Sequence, residues 1–177
     1  MVTLRLLQWP QDRPALLTLD ASFSTDRVYQ VVQLDRSFTL EVTSITPPLH
    51  KDYAFADDVD SLPTFDHVVV AEMDTTLVGI MALKFEAWNR RAVVWHFYMA
   101  PAYRGRGVGR ALMDAAAAEA QNRNARCLWI ETQNINYGAI QFYERVGFRW
   151  CGLDTSLYDP QRVAPEERAL FFVRWLP

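Results

Sequence analysis

The sequence predicts a mixed α/β fold with a central, twisted and mostly antiparallel sheet flanked by helices. Three apolar runs, at 67–73, 76–84 and 91–99, carry the Val, Ile and aromatic content that is typical of buried strands. Short turns separate these runs, so they predict an antiparallel meander. An Ala-rich stretch at 107–122 follows, and alanine favours a helix more than any other residue. The meander and this helix together indicate the fold class.

The first third of the chain has a less regular pattern. Residues 2–7 predict an edge strand, and 14–19 predict a short helix with a proline near its first turn. Residues 27–46 predict strands, and we expect Pro47 and Pro48 to end them. Residues 51–66 predict a mixed loop. That loop holds a cluster of acidic side chains: Asp52, Asp57, Asp58 and Asp60.

The last third alternates between strands and helices. Residues 127–131 predict a strand, and 137–146 predict a helix that ends at Gly147, which readily adopts the left-handed conformation. Residues 148–153 and 168–175 predict the final strands. The whole chain of 177 residues is therefore expected to fold as one domain.

Composition excludes several classes of protein. The formal charge of −3 argues against a protein that neutralises nucleic-acid phosphates. No run approaches the ~18 apolar residues of a membrane span, and the N-terminus lacks a signal pattern. Scattered histidines give no metal-ligand cluster. The two cysteines, Cys127 and Cys151, predict free buried thiols, and we expect a cytoplasmic protein without a membrane or nucleic-acid partner.

The stretch Arg104-x-x-Gly107-x-Gly109 lies between the third strand of the meander and the Ala-rich helix. Glycine lets the backbone turn tightly and approach a ligand, and the first N–H groups of a helix attract anions. The stretch lacks the lysine of a Walker loop and the third glycine of a dinucleotide fingerprint. It therefore predicts a different pyrophosphate site, flanked by Arg104, Arg106 and Arg110, with a glycine-rich surface turn as the alternative.

This stretch resembles the acetyl-coenzyme A signature of the GCN5-related N-acetyltransferases, the GNAT superfamily. A second signature of that superfamily is matched by Asn136, Ala139, Phe142-Tyr143 and Gly147-Phe148. The sequence from Glu131 to Asn134, with Tyr158 downstream, is similar to that of the streptothricin acetyltransferase branch. The resemblance covers residues 67–153 and implies the GNAT fold, with a splayed cleft for acetyl-CoA.

The resemblance also divides the single GNAT domain, residues 1–177, into three segments. Residues 1–66 are expected to elaborate the acceptor side. Residues 67–153 form the expected acetyl-CoA-binding core, and residues 154–177 form a C-terminal strand region.

The resemblance assigns roles to two side chains. Glu131 is implied as the general base, acting directly or through water, with a structural carboxylate as the alternative. Tyr143 is implied as the general acid that protonates the leaving thiolate, with a buried core aromatic as the alternative. A backbone N–H near Met99 is expected to hold the oxyanion where the strand ends or bulges.

Further residues are predicted to bind the two substrates. The cofactor set is Phe97, Tyr98, Met99, Arg104, Gly105, Arg106, Gly107, Val108, Gly109, Arg110, Asn136, Ala139 and Tyr143. Asn136 is equally suited to cap the following helix. Asp57 and Asp58 are predicted to attract a cationic acceptor, or else to form a solvated face. Asp154 and Tyr158 are predicted to line the acceptor pocket, or else to form a turn.

The function implied is acetyl-CoA-dependent N-acetylation of a primary amine on a small cationic molecule such as a streptothricin-type antibiotic. The acetyl group is expected to pass directly in a ternary complex. A ribosomal-protein N-terminal acetyltransferase and a non-catalytic acyl-coenzyme A sensor are the alternatives. A homodimer is left open.

Overall fold

The computed structural model describes residues 1–177 and confirms the predicted mixed α/β class. The strands are β1 (Val2–Leu6), β2 (Phe23–Leu34), β3 (Ser37–Lys51), β4 (His67–Met73), β5 (Thr76–Glu86), β6 (Arg91–Met99), β7 (Cys127–Gln133), β8 (Arg149–Asp154) and β9 (Ala169–Trp175). The helices are α1 (Arg13–Leu17), α2 (Phe55–Asp58), α3 (Val108–Asn122) and α4 (Tyr137–Arg145), with 3₁₀ turns at Val59–Thr64 and Pro101–Tyr103. None of these helices has the length and apolar character needed to cross a membrane.

Seven strands form one sheet in the order β1-β4-β5-β6-β7-β9-β8, and β2 pairs with β3 in a separate two-stranded sheet. The chain divides into two compact units. The first unit comprises residues 1–22, 52–129 and 175–177, and the second comprises residues 23–51 and 130–174. These boundaries differ from the three predicted segments, whose functional division stays a prediction.

The first unit contains the predicted meander. β4 pairs antiparallel with β5, and β5 pairs antiparallel with β6, while β1 joins the edge of β4. Helix α3 packs against these strands, because Val108, Leu112 and Ala116 recur at helical spacing and are fully buried.

The prediction of a loop at residues 51–66 is wrong. Helix α2 and a 3₁₀ turn occupy this stretch, and they bury Phe55, Val59 and Leu62 in the core of the first unit. These three side chains recur at positions i, i+4 and i+7, which is helical spacing. The acidic residues between them obscured that apolar period.

In the second unit, β2 and β3 form a long antiparallel hairpin. The prediction that Pro47 and Pro48 end the strand is wrong, because β3 continues to Lys51. Thr25 pairs with Leu49, whereas Arg27 pairs with Ser44, so residues 45–48 lie in an irregular stretch of the ladder. Proline is tolerated where a ladder is interrupted or at an edge.

The end of α4 follows the predicted glycine signal. Gly147 has φ +93°, its N–H donates to Glu144 O at 3.1 Å, and Phe148 N–H donates to Tyr143 O at 2.9 Å. This pair of bonds is a Schellman motif, which satisfies the last carbonyls of the helix. Strands β8 and β9 then pair antiparallel. Cys127 is buried as predicted, but the prediction of a buried thiol is wrong for Cys151 on β8, which is exposed.

Candidate active site

The predicted phosphate loop lies between β6 and α3 in the first unit. Gly105 and Gly107 have φ values of +77° and +86°, which side chains with a Cβ rarely adopt. A Cβ placed on either glycine would have no atom within 4 Å. The glycines are therefore required by the backbone conformation and leave an open, bare backbone surface.

Gly107 is the N-cap of α3, and no side chain caps this helix end. The first N–H groups of the helix have no intrahelical acceptor and lie at the positive end of the helix dipole. The stretch from Gly105 to Arg110 thus offers backbone donors and positive charge to an anion. It fits the pyrophosphate group that its sequence predicts.

The three loop arginines are in different surroundings. The Arg104 guanidinium donates to Met99 O at 3.1 and 3.2 Å and to Ser22 O at 2.5 Å, so it fastens the loop to the end of β6. Arg106 lies over the Tyr103 ring, 5.4 Å from its centroid, and remains exposed. Arg110 is exposed. Arg106 and Arg110 are therefore available for a phosphate, whereas Arg104 is a structural anchor.

Strand β6 ends at Met99, which agrees with the predicted end of the strand. The register with β5 shifts at Trp95, between the pairs formed by Val94 and His96, and not at Met99. Ala100 N–H donates to Val78 O at 2.9 Å, which keeps the backbone paired just beyond the strand. The predicted oxyanion donor near Met99 stays a prediction.

The predicted cofactor residues Phe97, Tyr98 and Met99 are half-buried. The Tyr98 ring packs against Phe55, with centroids 4.7 Å apart, and joins the apolar core of the first unit. The Tyr98 side chain therefore contributes to the core, and its contact with the cofactor stays a prediction.

The predicted base, Glu131, lies on β7 in the second unit and is half-buried. The phenol O–H of Tyr158 donates to its Oε1 atom. Burial raises the pKa of Glu131 above the usual 4.5, while the Tyr158 hydrogen bond opposes that rise. No cation pairs with this carboxylate, so no positive charge opposes the rise that burial causes in its pKa.

The second signature opens α4. Asn136 is the N-cap, and its side chain accepts a hydrogen bond from Ala139 N–H at 3.2 Å, as the capping alternative predicts. Tyr143 is 5% exposed, and its ring packs beside Phe142, Phe148 and Phe172. These contacts hold the ring firmly, as the core alternative predicts, and the role of its hydroxyl group as an acid stays a prediction.

The predicted acceptor residues separate into three settings. Asp57 and Asp58 are exposed on α2, as a solvated face would be. Asp154 accepts hydrogen bonds from Ser156 N–H and Oγ at 2.7 and 2.8 Å, which forms the predicted turn and lowers the pKa of Asp154. Tyr158 alone reaches a predicted catalytic side chain.

Sequence reasoning missed the contacts that hold the second unit together. Tyr29 N–H donates to Asn134 O at 3.0 Å, and the side chain of Asn134 donates to Tyr29 O at 2.7 Å. Lys51 Nζ pairs with the buried Glu167 carboxylate at 2.5 Å. These contacts join residues more than 100 positions apart, and no local pattern reveals such pairs.

Comparison with known proteins decides the family. A sequence profile of the acetyltransferase (GNAT) family matches residues 28–148. The chain belongs to this family. This GNAT protein is an N-acetyltransferase, and acetyl-CoA is the cofactor of the family, as the two signatures predicted.

The similarity extends along nearly the whole GNAT chain. It is 40% identical over 174 residues to a streptothricin acetyltransferase of Streptomyces lavendulae, covering 92% of this chain and 89% of the relative. A streptothricin acetyltransferase of Escherichia coli is 32% identical over 158 residues, covering 88% of this chain and 87% of the relative. The crystal structure of nourseothricin acetyltransferase matches with a TM-score of 0.90 at 38% identity, covering 99% of both chains.

Proposed function

We propose that this enzyme transfers the acetyl group of acetyl-CoA to a primary amine of a streptothricin-type antibiotic. The observation that carries the proposal is the 40% identity to the streptothricin acetyltransferase of Streptomyces lavendulae over 92% of the chain. The TM-score of 0.90 to nourseothricin acetyltransferase supports the same acceptor class. Acetylation would remove a positive charge from the antibiotic.

Acetyl-CoA supplies an acetyl thioester, whose acyl carbon is the electrophile. In the proposed reaction the backbone between Gly105 and Gly109 binds the pyrophosphate group, assisted by Arg106 and Arg110. The positive φ values of the glycines and the uncapped end of α3 support this role. Phe97, Met99, Asn136 and Ala139 stay proposed contacts for the rest of the cofactor.

Glu131 accepts the proton that the amine must lose. A lysine-like amine has a pKa of ~10.4, so at neutral pH it is mostly protonated and cannot attack. The burial that raises the pKa of Glu131 makes its carboxylate a better proton acceptor than an exposed one. Its Oε2 atom has no hydrogen-bond donor within the protein, so it is open to the amine or to an intervening water.

Tyr143 donates a proton to the departing thiolate in this proposal. A thiol pKa near ~8.5 lies below the ~10 of a tyrosine, which opposes this transfer, but a phenol held close to the sulfur can still protonate it as the bond breaks. The support is its position in the second signature and its firmly packed ring.

We propose direct transfer in a ternary complex. Burial raises the pKa of the Cys127 thiol, which makes it a poor nucleophile for a covalent acyl-enzyme. Initial rates measured with both substrates varied should give intersecting reciprocal plots. Parallel plots would instead indicate a covalent intermediate.

The acceptor is tested with an assay of thiol release from acetyl-CoA. The panel contains a streptothricin, other cationic antibiotics, a polyamine and a peptide with an N-terminal alanine. We expect kcat/KM for the streptothricin to exceed that for every other amine by at least tenfold. A higher value for the peptide would overturn the antibiotic assignment in favour of a protein N-terminal acetyltransferase, and no release with any amine would favour a sensor.

A cytoplasmic location and a single catalytic domain are also proposed. The free thiols of Cys127 and Cys151 support a reducing compartment. Gel filtration with light scattering would determine whether a homodimer forms.

A further inference from the structure

The segment between β8 and β9, residues 155–168, places the phenol of Tyr158 against Glu131, the proposed base. Tyr158 is half-buried, and its hydroxyl group donates to Oε1 of Glu131. The two residues lie 27 positions apart in the chain, so this contact depends on the fold. Glu131 has no other hydrogen bond or ion pair within the protein.

Several contacts fix the path of this segment. Asp154 anchors its beginning through the turn with Ser156. Asp159 then accepts hydrogen bonds from the backbone N–H groups of Arg162 and Gln161, at 2.9 Å each. At the far end, the N–H of Arg168 donates to the Asn134 side chain at 2.7 Å. Tyr158 is therefore presented by a backbone that is held on both sides.

We infer that Tyr158 is a positioning residue for Glu131, whose phenol holds Oε1 and thereby reserves Oε2 for the proton of the acceptor amine. The inference rests on the proposed role of Glu131 as the base. The sequence-based expectation that Tyr158 lines the acceptor pocket, or else forms a turn, stays a prediction.

The electrostatic effect of the phenol has a definite sign. Burial disfavours the charged carboxylate and raises the pKa of Glu131, whereas a donated hydrogen bond favours the charged form and lowers it. No charged side chain contributes to this balance, and the adjacent Thr132 and Gln133 do not titrate. Removing the phenol oxygen therefore leaves the effect of burial unopposed, so the pKa of Glu131 should rise further.

The first test measures the carboxylate directly by NMR. Protein labelled with ¹³C at glutamate carboxyl groups is titrated with pH, and Glu131 is assigned by the signal that disappears in Glu131→Gln. We expect Tyr158→Phe to move the titration midpoint of Glu131 upward by about one pH unit, the size of one charge-assisted hydrogen bond. Tyr29→Phe is the matched control, because the Tyr29 hydroxyl accepts from Gln141 at 2.8 Å and does not contact Glu131.

The second test is kinetic. The pH profile of kcat/KM for the acceptor is expected to fall at low pH, and the part of this fall that disappears in Glu131→Gln is assigned to Glu131. Tyr158→Phe should move the midpoint of this fall to higher pH, while KM for acetyl-CoA stays unchanged. In the Glu131→Gln background, Tyr158→Phe should cause no further loss. An unmoved NMR midpoint in Tyr158→Phe would overturn the inference. An unaltered rate in Glu131→Gln would instead overturn the role of the base, whatever the NMR midpoint does.

Discussion

At the scale of single residues, Tyr143 has to combine two demands. Its ring fills space among Phe142, Phe148 and Phe172, which a phenylalanine would also do. Its hydroxyl group is the only part that the proposed chemistry needs. The two roles can therefore be separated by removing one oxygen atom.

We expect Tyr143→Phe to lower kcat by the ~10²–10⁴-fold that is typical of a lost general acid. The melting temperature and the KM for acetyl-CoA should change little, because the aromatic ring is kept. Steady-state kinetics and calorimetry on the same preparation would check this. Near wild-type turnover would leave Tyr143 with a packing role alone.

At the scale of elements, α3 and its preceding turn depend on backbone geometry more than on side chains. Gly107 is the N-cap with φ +86°, and the helix buries Val108 directly after it. The left-handed conformation of Gly107 leaves the first N–H groups of the helix without a side-chain cap. An L-amino acid with a Cβ rarely adopts this conformation.

Gly107→Ala should weaken acetyl-CoA binding by roughly tenfold, because the strained conformation costs about 1–2 kcal/mol or is abandoned. Gly152→Ala on β8 is the control, since the added Cβ would meet Phe171 at an ordinary 3.7 Å. Gly79→Ala is unsuitable, because its Cβ would lie 3.1 Å from Tyr98 O. Equal affinity of the two variants by calorimetry would remove the phosphate-loop assignment.

Two acidic residues of helix α2, Asp57 and Asp58, are exposed to solvent. If Asp57 and Asp58 attract a cationic acceptor, Asp57→Asn combined with Asp58→Asn should raise the acceptor KM several-fold at low salt. The effect should shrink at 1 M salt, where the screening length is about 3 Å. The double change Asp35→Asn with Glu41→Gln removes the same charge from the exposed hairpin as a control. Equal KM values for the two double variants would make the α2 acids a solvated surface.

At the scale of the whole molecule, the meander, α3 and α4 could be predicted from the sequence, and both family signatures could be recognised in it. Each of these features has a regular spacing of apolar residues or a glycine at a turn that requires one. Sequence reasoning missed α2, where acidic residues interrupt the apolar spacing of Phe55 and Val59. It also missed the Tyr158–Glu131 contact and the anchoring role of Arg104, because both depend on chain segments that only folding brings together.

Global stability should depend on the buried Asp12 carboxylate, which is 6% exposed. Arg5 donates two 2.7 Å hydrogen bonds to it, and these bonds hold the pKa of Asp12 below 3.8. The stabilisation is therefore complete above the unfolded-state pKa and is lost as pH falls through the lower folded-state pKa.

We expect Asp12→Asn to lower the free energy of unfolding at pH 7 by about 2 kcal/mol, measured by urea denaturation. Asp60→Asn is the control, since it breaks an exposed pair with Arg13 and should have a much smaller effect. The difference between wild type and Asp12→Asn should narrow in strongly acidic buffer. A difference that is independent of pH would show that the ion pair does not titrate with folding.

The Lys51–Glu167 pair bears on how readily the enzyme itself is acylated. A cell that maintains acyl thioesters exposes every unprotonated lysine amine to slow, unwanted acylation, and this chain carries only two lysines. Lys51 Nζ pairs with the buried Glu167 carboxylate, and Lys84 Nζ lies 5.7 Å from the centre of the Trp95 ring. An ammonium ion has no lone pair with which to attack a thioester. The enzyme thus has few amines that acetyl-CoA could acylate. Its positive charges are mostly arginines, which thioesters do not readily modify.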